Sequence, residues 1–560
     1  MNILGISCFY HDSSAAILQD GKIIAAASEE RFNRKKNSSV FPIQAINFCL
    51  QKANLTTYDI DYAGFYEKPF LKFYRVLLSH LRSYPFSWKN FIDTMPNWLE
   101  ERLIMPLVLK RELGYEGKVF FVKHHFSHAA SSFLLSPFEE AAIFTADGVG
   151  EWAVMSLGVG RGKDIRILKE MHFPDSLGLL YTAITTHLGF EALEGEGKVM
   201  GLASFGKPVY IDKFREMVTV NPDGSIRIDQ RFFGFNKGFR MYSSKLNKIL
   251  GPARKPGSDL EQRHYDIAAS LRKFTEDVLI KIAQSLYQET KLDNLCLAGG
   301  LFLNCVANIK ILENTGFKRV FIQPAAGDSG GSLGVAAYIY NSILGNKRSY
   351  TMTDAYLGPE FSAAQIKRAL LNNGFEFKEI PDAELAKYVA GLIAGNKIIG
   401  WFQGRMEIGP RALGHRSILA NPCNPEIKEM LNTKVKNRES FRPYAPVVLE
   451  EKVNEYFEAK QFSPFMLLAA QVKDEKINVI PGVTHVDNTA RVQSLNKEIN
   501  PKLWQLIKEF ETLTGVPVLV NTSFNLRGEP IVCSPDDAIS CFKRSRMDCL
   551  VLENFVVERK

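Results

Sequence analysis

Apolar runs of strand length that end in an aspartate at a turn recur along this 560-residue chain, and that recurrence restricts the folds open to it. Residues 141–146 read as a buried strand closing on Asp147-Gly148, and residues 319–322 lead through Gln323-Pro324-Ala325-Ala326-Gly327 to Asp328. The N-terminus follows the same plan. Residues 1–7 form a short apolar strand, and Asp20-Gly21 between two apolar runs predicts a tight hairpin, because a primed turn needs positive φ at its centre. The Asp147-Gly148 stretch is expected to repeat that hairpin further on. Residues 295–298 then supply an apolar strand followed by Gly299-Gly300, paired glycines where backbone has to approach a ligand, before Asn304 and a helix. With helical stretches at 41–54, 69–110 and 265–290, the pattern predicts an α/β chain.

Three histidines crowd into five positions at His124-His125-Phe126-Ser127-His128. If the segment is helical, His124 and His128 lie one turn apart on one face, close enough to grip one divalent ion. Two histidines on a helix are more often ordinary polar residues than ligands. The downstream aspartates change the balance, because two imidazoles with Asp147 and Asp328 make a donor set suited to Fe²⁺, Mn²⁺ or Zn²⁺. His125 is expected to be structural. The loop His11-Asp12-Ser13-Ser14 offers hydroxyls and backbone N–H groups to a phosphate or an acceptor hydroxyl. Residues 194–203 mix glycines with acids and one lysine, which predicts a flexible loop over a bound anion, with Lys198 and Gly201 as contacts.

Composition excludes several classes. Charged residues are 23% and hydrophobic residues 46%, an ordinary globular balance with no case for disorder. A formal charge of +8 over this length is mild and points to anionic ligands more than to nucleic acid. The 8 cysteines include no C-x-x-C pair, so a reducing compartment is expected. Asp12 interrupts any signal core, and no apolar run approaches the ~18 residues that span a bilayer. The chain is therefore expected to be cytoplasmic, without membrane or nucleic-acid partners.

The second half has its own chemistry. Gly404 to Ser417 contains Arg405, Arg411 and Arg416; then come Lys436, Arg438 and Arg442, later Arg491, and finally Asn521-Thr522-Ser523-Phe524-Asn525. These cations alternate with glycine, proline and apolar residues. A solvated basic face would instead place lysines at helical spacing among glutamates. Forked guanidinium groups with a lysine and small hydroxyls suit a polyanionic small molecule. RNA binding would add stacking aromatics and a broader basic patch.

With those residues in view, the chain resembles the O-carbamoyltransferases of antibiotic and nodulation-factor biosynthesis, from the His11-Asp12-Ser13-Ser14-Ala15 loop to the Asn521–Asn525 segment. The resemblance implies a duplicated actin-like ATPase-fold domain over residues 1–350 and a YrdC-like domain over residues 351–560. It implies that the second domain converts carbamoyl phosphate and ATP, accompanied by Mg²⁺, to carbamoyl-adenylate through Lys436, Arg442 and Ser523, with Arg411, Arg491 and Asn521 as binding residues. It further implies that the first domain passes the carbamoyl group to a hydroxyl of a small-molecule acceptor. There His124, His128, Asp147 and Asp328 would hold the metal, Fe²⁺ being favoured. His11 would act as general base, with Asp12, Gly299, Gly300 and Asn304 binding substrate and nucleotide. The rival readings are threonylcarbamoyl transfer to tRNA by the same chemistry, and a nucleotide-dependent chaperone-like switch.

Overall fold

The computed structural model describes residues 1–85, 87–235 and 241–559. Contacts divide it into two compact units, residues 1–26 with 39–351 and residues 27–38 with 352–560.

The first unit is built on two five-stranded sheets. Strands β1 (Asn2–Ser7), β2 (Ser14–Gln19), β3 (Lys22–Ser28), β4 (Tyr62–Phe65) and β5 (Lys118–Phe121) lie in the order β3-β2-β1-β4-β5. Strand β1 runs antiparallel to β2 and parallel to β4, which is parallel to β5. The second sheet holds β6 (Glu140–Ala146), β7 (Ala153–Arg161) and β8 (Asp164–His172). After a separate hairpin of β9 (Val218–Val220) and β10 (Ile226–Ile228), it gains β11 (Asn294–Ala298) and β12 (Arg319–Ile322). Its order, β12-β11-β6-β7-β8, and its antiparallel β6/β7 and parallel β6/β11 and β11/β12 pairs repeat the first sheet.

The duplication is therefore real, but its hairpins correspond differently from the sequence expectation. Asp20 (φ 47°) and Gly21 (φ 85°) form the tight turn between β2 and β3. Its counterpart is the Gly162-Lys163 turn between β7 and β8, with Gly162 at φ 56°. Asp147 does not sit in such a turn. Pairing of β6 with β7 ends at Ala146 opposite Met155, which frees loop 147–152 to stand where loop 8–13 stands between β1 and β2.

Each half lends the other a helix. The helix His124–Phe133, after β5, packs on β6 and β11; the helix Gly330–Tyr338, after β12, packs on β1 and β2; and the two pack on each other. Small residues permit this. A Cβ on Gly334 would lie 2.0 Å from the Ser127 carbonyl oxygen, and one on Gly5 would lie 2.0 Å from that of Ser332.

Residues 69–110 fold as the helices Pro69–Arg82, Trp88–Asn97 and Met105–Leu113, and the long helix Gln262–Thr290 covers the predicted 265–290. The predicted flexible loop at 194–203 is corrected. Residues Glu196–Leu202 are helical and pack on Gln262–Thr290 because Val199, Leu202 and Ala203 are buried, and that apolar spacing outweighs the three glycines.

The second unit is one mixed ten-stranded sheet. Its strands are β13 (Lys378–Glu379), β14 (Ile399–Phe402), β15 (Arg416–Ala420), β16 (Ala445–Leu449), β17 (Phe457–Glu458), β18 (Leu468–Val472), β19 (Thr489–Leu495), β20 (Val518–Ser523), β21 (Cys549–Leu552) and β22 (Phe555–Glu558). Trp401, Phe402, Val447 and Leu519 are buried in it; the helix Pro501–Thr514 packs on β16 and β20 and against the helix Asp382–Ala394, and the helix Pro535–Arg544 packs on β14 and β21. Residues 27–38 belong here although they follow β3 in the chain. Arg31 donates to the Gly409 carbonyl at 2.9 Å, Arg34 donates to those of Ile531 and Pro530 at 2.7 and 2.9 Å, and Phe32 packs on Met406 and Ile531.

Gly334→Val should destabilise the chain by about 3 kcal/mol or more, since neither helix backbone can retreat. Gly197→Ala, in open space on a helix, should be neutral or stabilise by up to about 1 kcal/mol. Urea denaturation of the two variants checks both.

Candidate functional site

The exchanged helix carries His124 and His128 to the ends of β6 and β12. The His124 and His128 Nε2 atoms are 3.2 Å apart. Asp147 Oδ2 lies 3.4 and 3.0 Å from them, and Asp328 Oδ1 lies 3.6 Å from each. All four residues offer a ligand atom within 4.8 Å of one another. A tetrahedral ion with bonds of about 2.0–2.1 Å has ligand–ligand edges of about 3.3 Å, so the spacing fits a divalent cation closely. Both oxygens of buried Asp328 lack a hydrogen-bond partner, as a carboxylate aimed at a cation would. When bound, such an ion would supply Lewis acidity toward a carbonyl oxygen.

Electrostatics agree. Burial would raise the Asp147 pKa, but hydrogen bonds from His124 and His128 hold it well below the usual carboxylate range. Burial would lower the His128 pKa, yet Asp147 and Asp328 lift it to about 9. His125 differs: burial and its two neighbours push it well down, so it is neutral, with Nδ1 2.8 Å from Thr145 Oγ1. It is a packing residue.

The His helix has no capping side chain of its own at Lys123. Glu151, from loop 147–152, supplies the cap: its carboxylate accepts from His124 N at 3.0 and 3.2 Å and from Lys68 N at 2.7 Å. Sequence reasoning missed Glu151, which reads like any acid after a glycine turn.

His11 joins the same cluster. Its Nδ1 lies 3.0 Å from Asp12 Oδ2 and its Nε2 3.7 Å from Asp328 Oδ2. Burial opposes its charge, but Asp328 and Asp12 outweigh that and raise it to about 10. A cation between the carboxylates would cancel much of the pull. Gly299, at φ 104°, abuts the end of β6, where a Cβ would lie 2.1 Å from the Ala146 oxygen; a Cβ on Gly300 would lie 3.0 Å from Asp147 Oδ1. Asn304 caps the helix Cys305–Asn314 by accepting from Ala307 N at 3.2 Å, so its amide oxygen is engaged in the fold. Lys198 and Gly201 fall on the helix Glu196–Leu202, with Lys198 Nζ 5.8 Å from the Phe190 ring.

In the second unit Lys436 is buried among four oxygens. Its Nζ donates to the Ser523 carbonyl, to Ser523 Oγ at 3.3 Å, and to the Asn525 carbonyl and Oδ1 at 3.0 and 2.8 Å. Burial, with Arg438 and Arg442 nearby, pushes its pKa well down. Burial, Arg438 and Arg491 bring Arg442 down to about 10, despite Glu439. Asn521 Nδ2 donates to the carbonyl of Ala412, next to Arg411, at 3.2 Å and to Gln493 at 2.7 Å. One cation of the 404–417 stretch is spent on the fold. Arg416 is buried and donates to the carbonyls of Gln403, Gly404, His415, Pro359 and Cys533, while Glu407 accepts from the backbone N–H groups of Leu413, His415 and Arg416. These two residues hold the loop's shape.

Comparison with known proteins decides the family. Residues 2–337 match the model described as carbamoyltransferase N-terminus, and residues 390–559 match carbamoyltransferase C-terminus. The chain belongs to the carbamoyltransferase family. Among the relatives of this carbamoyltransferase are an uncharacterized protein of Synechocystis, 46% identical over 100% of this chain and 97% of its own length, and nodulation protein NolNO of Sinorhizobium fredii, 36% identical over 99% and 79%. Nodulation protein U of Rhizobium tropici is 28% identical over 97% and 93%.

The purified carbamoyltransferase should carry a near-stoichiometric divalent ion. Elemental analysis should find it lost from Asp328→Asn and His128→Ala and kept in His125→Ala.

Proposed function

We propose that this carbamoyltransferase works in two steps on its two units, each using the residues just described. The second unit, a YrdC-like domain in this reading, takes carbamoyl phosphate, ATP and one water: the water cleaves carbamoyl phosphate to carbamate and phosphate, and a carbamate oxygen then attacks the α-phosphorus of ATP, expelling pyrophosphate and forming carbamoyl-adenylate. Lys436, Arg442 and Arg491, with Arg411, Ser523 and Asn521, meet the charge that gathers on phosphoryl oxygens. A prearranged cation serves that task best, since it needs no reorganisation as charge develops. The first unit, an actin-like ATPase fold in this reading, consumes the carbamoyl-adenylate. His124, His128, Asp147 and Asp328 would hold the divalent cation, with Fe²⁺ favoured. Asp12 orients His11, whose Nε2 takes the proton from an acceptor hydroxyl as the hydroxyl oxygen attacks the carbamoyl carbon and AMP departs. Gly299 and Gly300 leave backbone open to adenosine.

The observation that carries this reading is the convergence of His124, His128, Asp147, Asp328 and His11 from both halves of a duplicated fold. A switch protein needs no such cluster. The mixed anhydride hydrolyses readily, which accounts for burying the groups that handle it. The acceptor is a hydroxylated small molecule, and a reducing cytoplasmic setting suits the chain's 8 cysteines, none of which is in a disulfide.

The test separates the units. Pyrophosphate release should require carbamoyl phosphate and should fall by about 10²–10³-fold in Lys436→Ala, the usual loss for one charge-stabilising donor. Asp328→Asn should release pyrophosphate at a near wild-type rate while failing to carbamoylate any acceptor. Pyrophosphate release without carbamoyl phosphate would sink the proposal.

A further inference from the structure

The helix Pro69–Arg82 is amphipathic the wrong way round. Phe70, Tyr74 and Leu81 face outward, 71%, 54% and 63% exposed, while Lys72 and Arg75 face inward, 2% and 8% exposed. Folding alone selects the opposite arrangement, since burying a charge costs several kcal/mol unless it is paired. Lys72 is paired with Glu67. Arg75 is not: its Nε is buried without a partner, no hydrogen bond or ion pair reaches it among the described residues, Glu67 and Glu151 attract it only from beyond ion-pair distance, and its ring contact is the face of Phe173 at 5.1 Å. Arg102, half-buried, likewise rests on the Trp98 ring at 4.7 Å, with no hydrogen bond or ion pair among the described residues.

These cations stand beside the His/Asp cluster. Glu151 accepts from both Lys68 N and His124 N, which fixes the start of this helix against the start of the His helix. Lys72 Nζ lies 4.8 Å over the Tyr10 ring, Tyr10 lies 4.6 Å from His11, and His11 Nε2 lies 3.7 Å from Asp328. Arg75 is one turn along the same face from Lys72. Arg102 is brought to this helix through Trp98, whose ring lies 5.8 Å from that of Phe73, and burial pushes the Tyr10 phenol up to about 12, with Asp328 and Asp147 adding to the shift and Arg75 and Arg102 opposing it.

We infer that Arg75 and Arg102, supported by Lys72, form a second oxyanion site, which binds a phosphate group on the acceptor while His11 addresses its hydroxyl. This rests on the carbamoyl-transfer reading above. A guanidinium offers five donors, and two such groups beside an ammonium match a phosphate dianion better than a carboxylate. The acceptor class is therefore a phosphorylated hydroxy compound, anchored at one end and carbamoylated at the other.

The test titrates the full, metal-bearing chain with methyl phosphate, sodium acetate and AMP in separate calorimetric runs. Arg75→Met should bind one equivalent of methyl phosphate fewer than wild type, and Arg102→Gln should weaken that same equivalent roughly tenfold. AMP affinity should be unchanged in both variants, and acetate should not bind at this site. Arg75→Met should also melt above wild type in phosphate-free buffer, because it removes a buried charge that no hydrogen bond or ion pair holds and that Glu67 and Glu151 offset only in part. Arg102→Gln, on a half-exposed residue, decides the matter should Arg75→Met misfold. Undiminished methyl phosphate binding in both variants, or a loss of AMP affinity instead, overturns the inference. Lys436→Ala should lose a different equivalent; if it loses none while Arg75→Met does, the reading of the second unit fails and this site stands.

Discussion

The contact between two small-residue helices sets every distance that matters in the first unit. With Gly334 against the Ser127 carbonyl, no side chain separates the helix of one half from the helix of the other. That approach lets His124 and His128, which follow one sheet, meet Asp147 and Asp328, which follow strands of the other. A wider spacing, such as leucine packing would impose, would part imidazoles from carboxylates by more than any ion can bridge. The cluster is thus a property of the interface between halves. The glycines and serines that look featureless in sequence are the residues that build it.

The chemistry of the two units is opposite in sign. In the first, two carboxylates lie 3.6 Å or less from the imidazoles, and Asp328 has no hydrogen-bond donor of its own. In the second, burial with Arg438 and Arg442 nearby lowers the proton affinity of Lys436, and burial with Arg438 and Arg491 nearby lowers that of Arg442. Each grouping is held together by the surrounding fold and would be relieved by a ligand of the opposite charge, a cation in one case and a polyphosphate in the other. Strain of this kind belongs at a binding site, where the fold's packing energy offsets local repulsion.

What could be read in the sequence depended on how local the cause was. The Asp20-Gly21 turn, the helix at 262–290 and the i,i+4 histidines follow from periodicity and turn chemistry within a few residues. The convergence of His124 and His128 on aspartates far along the chain was legible only as a proposal, because it needs a duplicated topology to bring them together. Misreadings arose where one pattern served two structures. Asp-Gly makes a tight hairpin at 20–21 but an open loop at 147–152, since strand register and not the dipeptide decides where pairing stops. The glycines at 195–201 suggested a loop, and buried Val199 and Leu202 made a helix. Glu151 and Glu407 carried no signal at all, since the same residue type in the same context is usually a solvated charge.

A similar ambiguity hid the inward-facing cations of the helix Pro69–Arg82. In sequence, Lys72 and Arg75 among Phe70, Leu71, Tyr74 and Leu81 describe an ordinary amphipathic helix, and the natural reading buries the aromatics. The fold reverses it, and the reason lies at the helix's start. Lys68 N is tied to Glu151, and Glu151 is tied to His124, so the rotation of this helix is set by the cap it shares with the helix His124–Phe133. Once that rotation is fixed, Lys72 meets Glu67 and Tyr10, and the apolar stripe has nowhere to go but outward. One carboxylate therefore determines both where the imidazoles point and where the cations point. The orientation of the cations is coupled to the candidate metal centre itself, which is what a pocket that must place an anchored substrate against a reacting group requires.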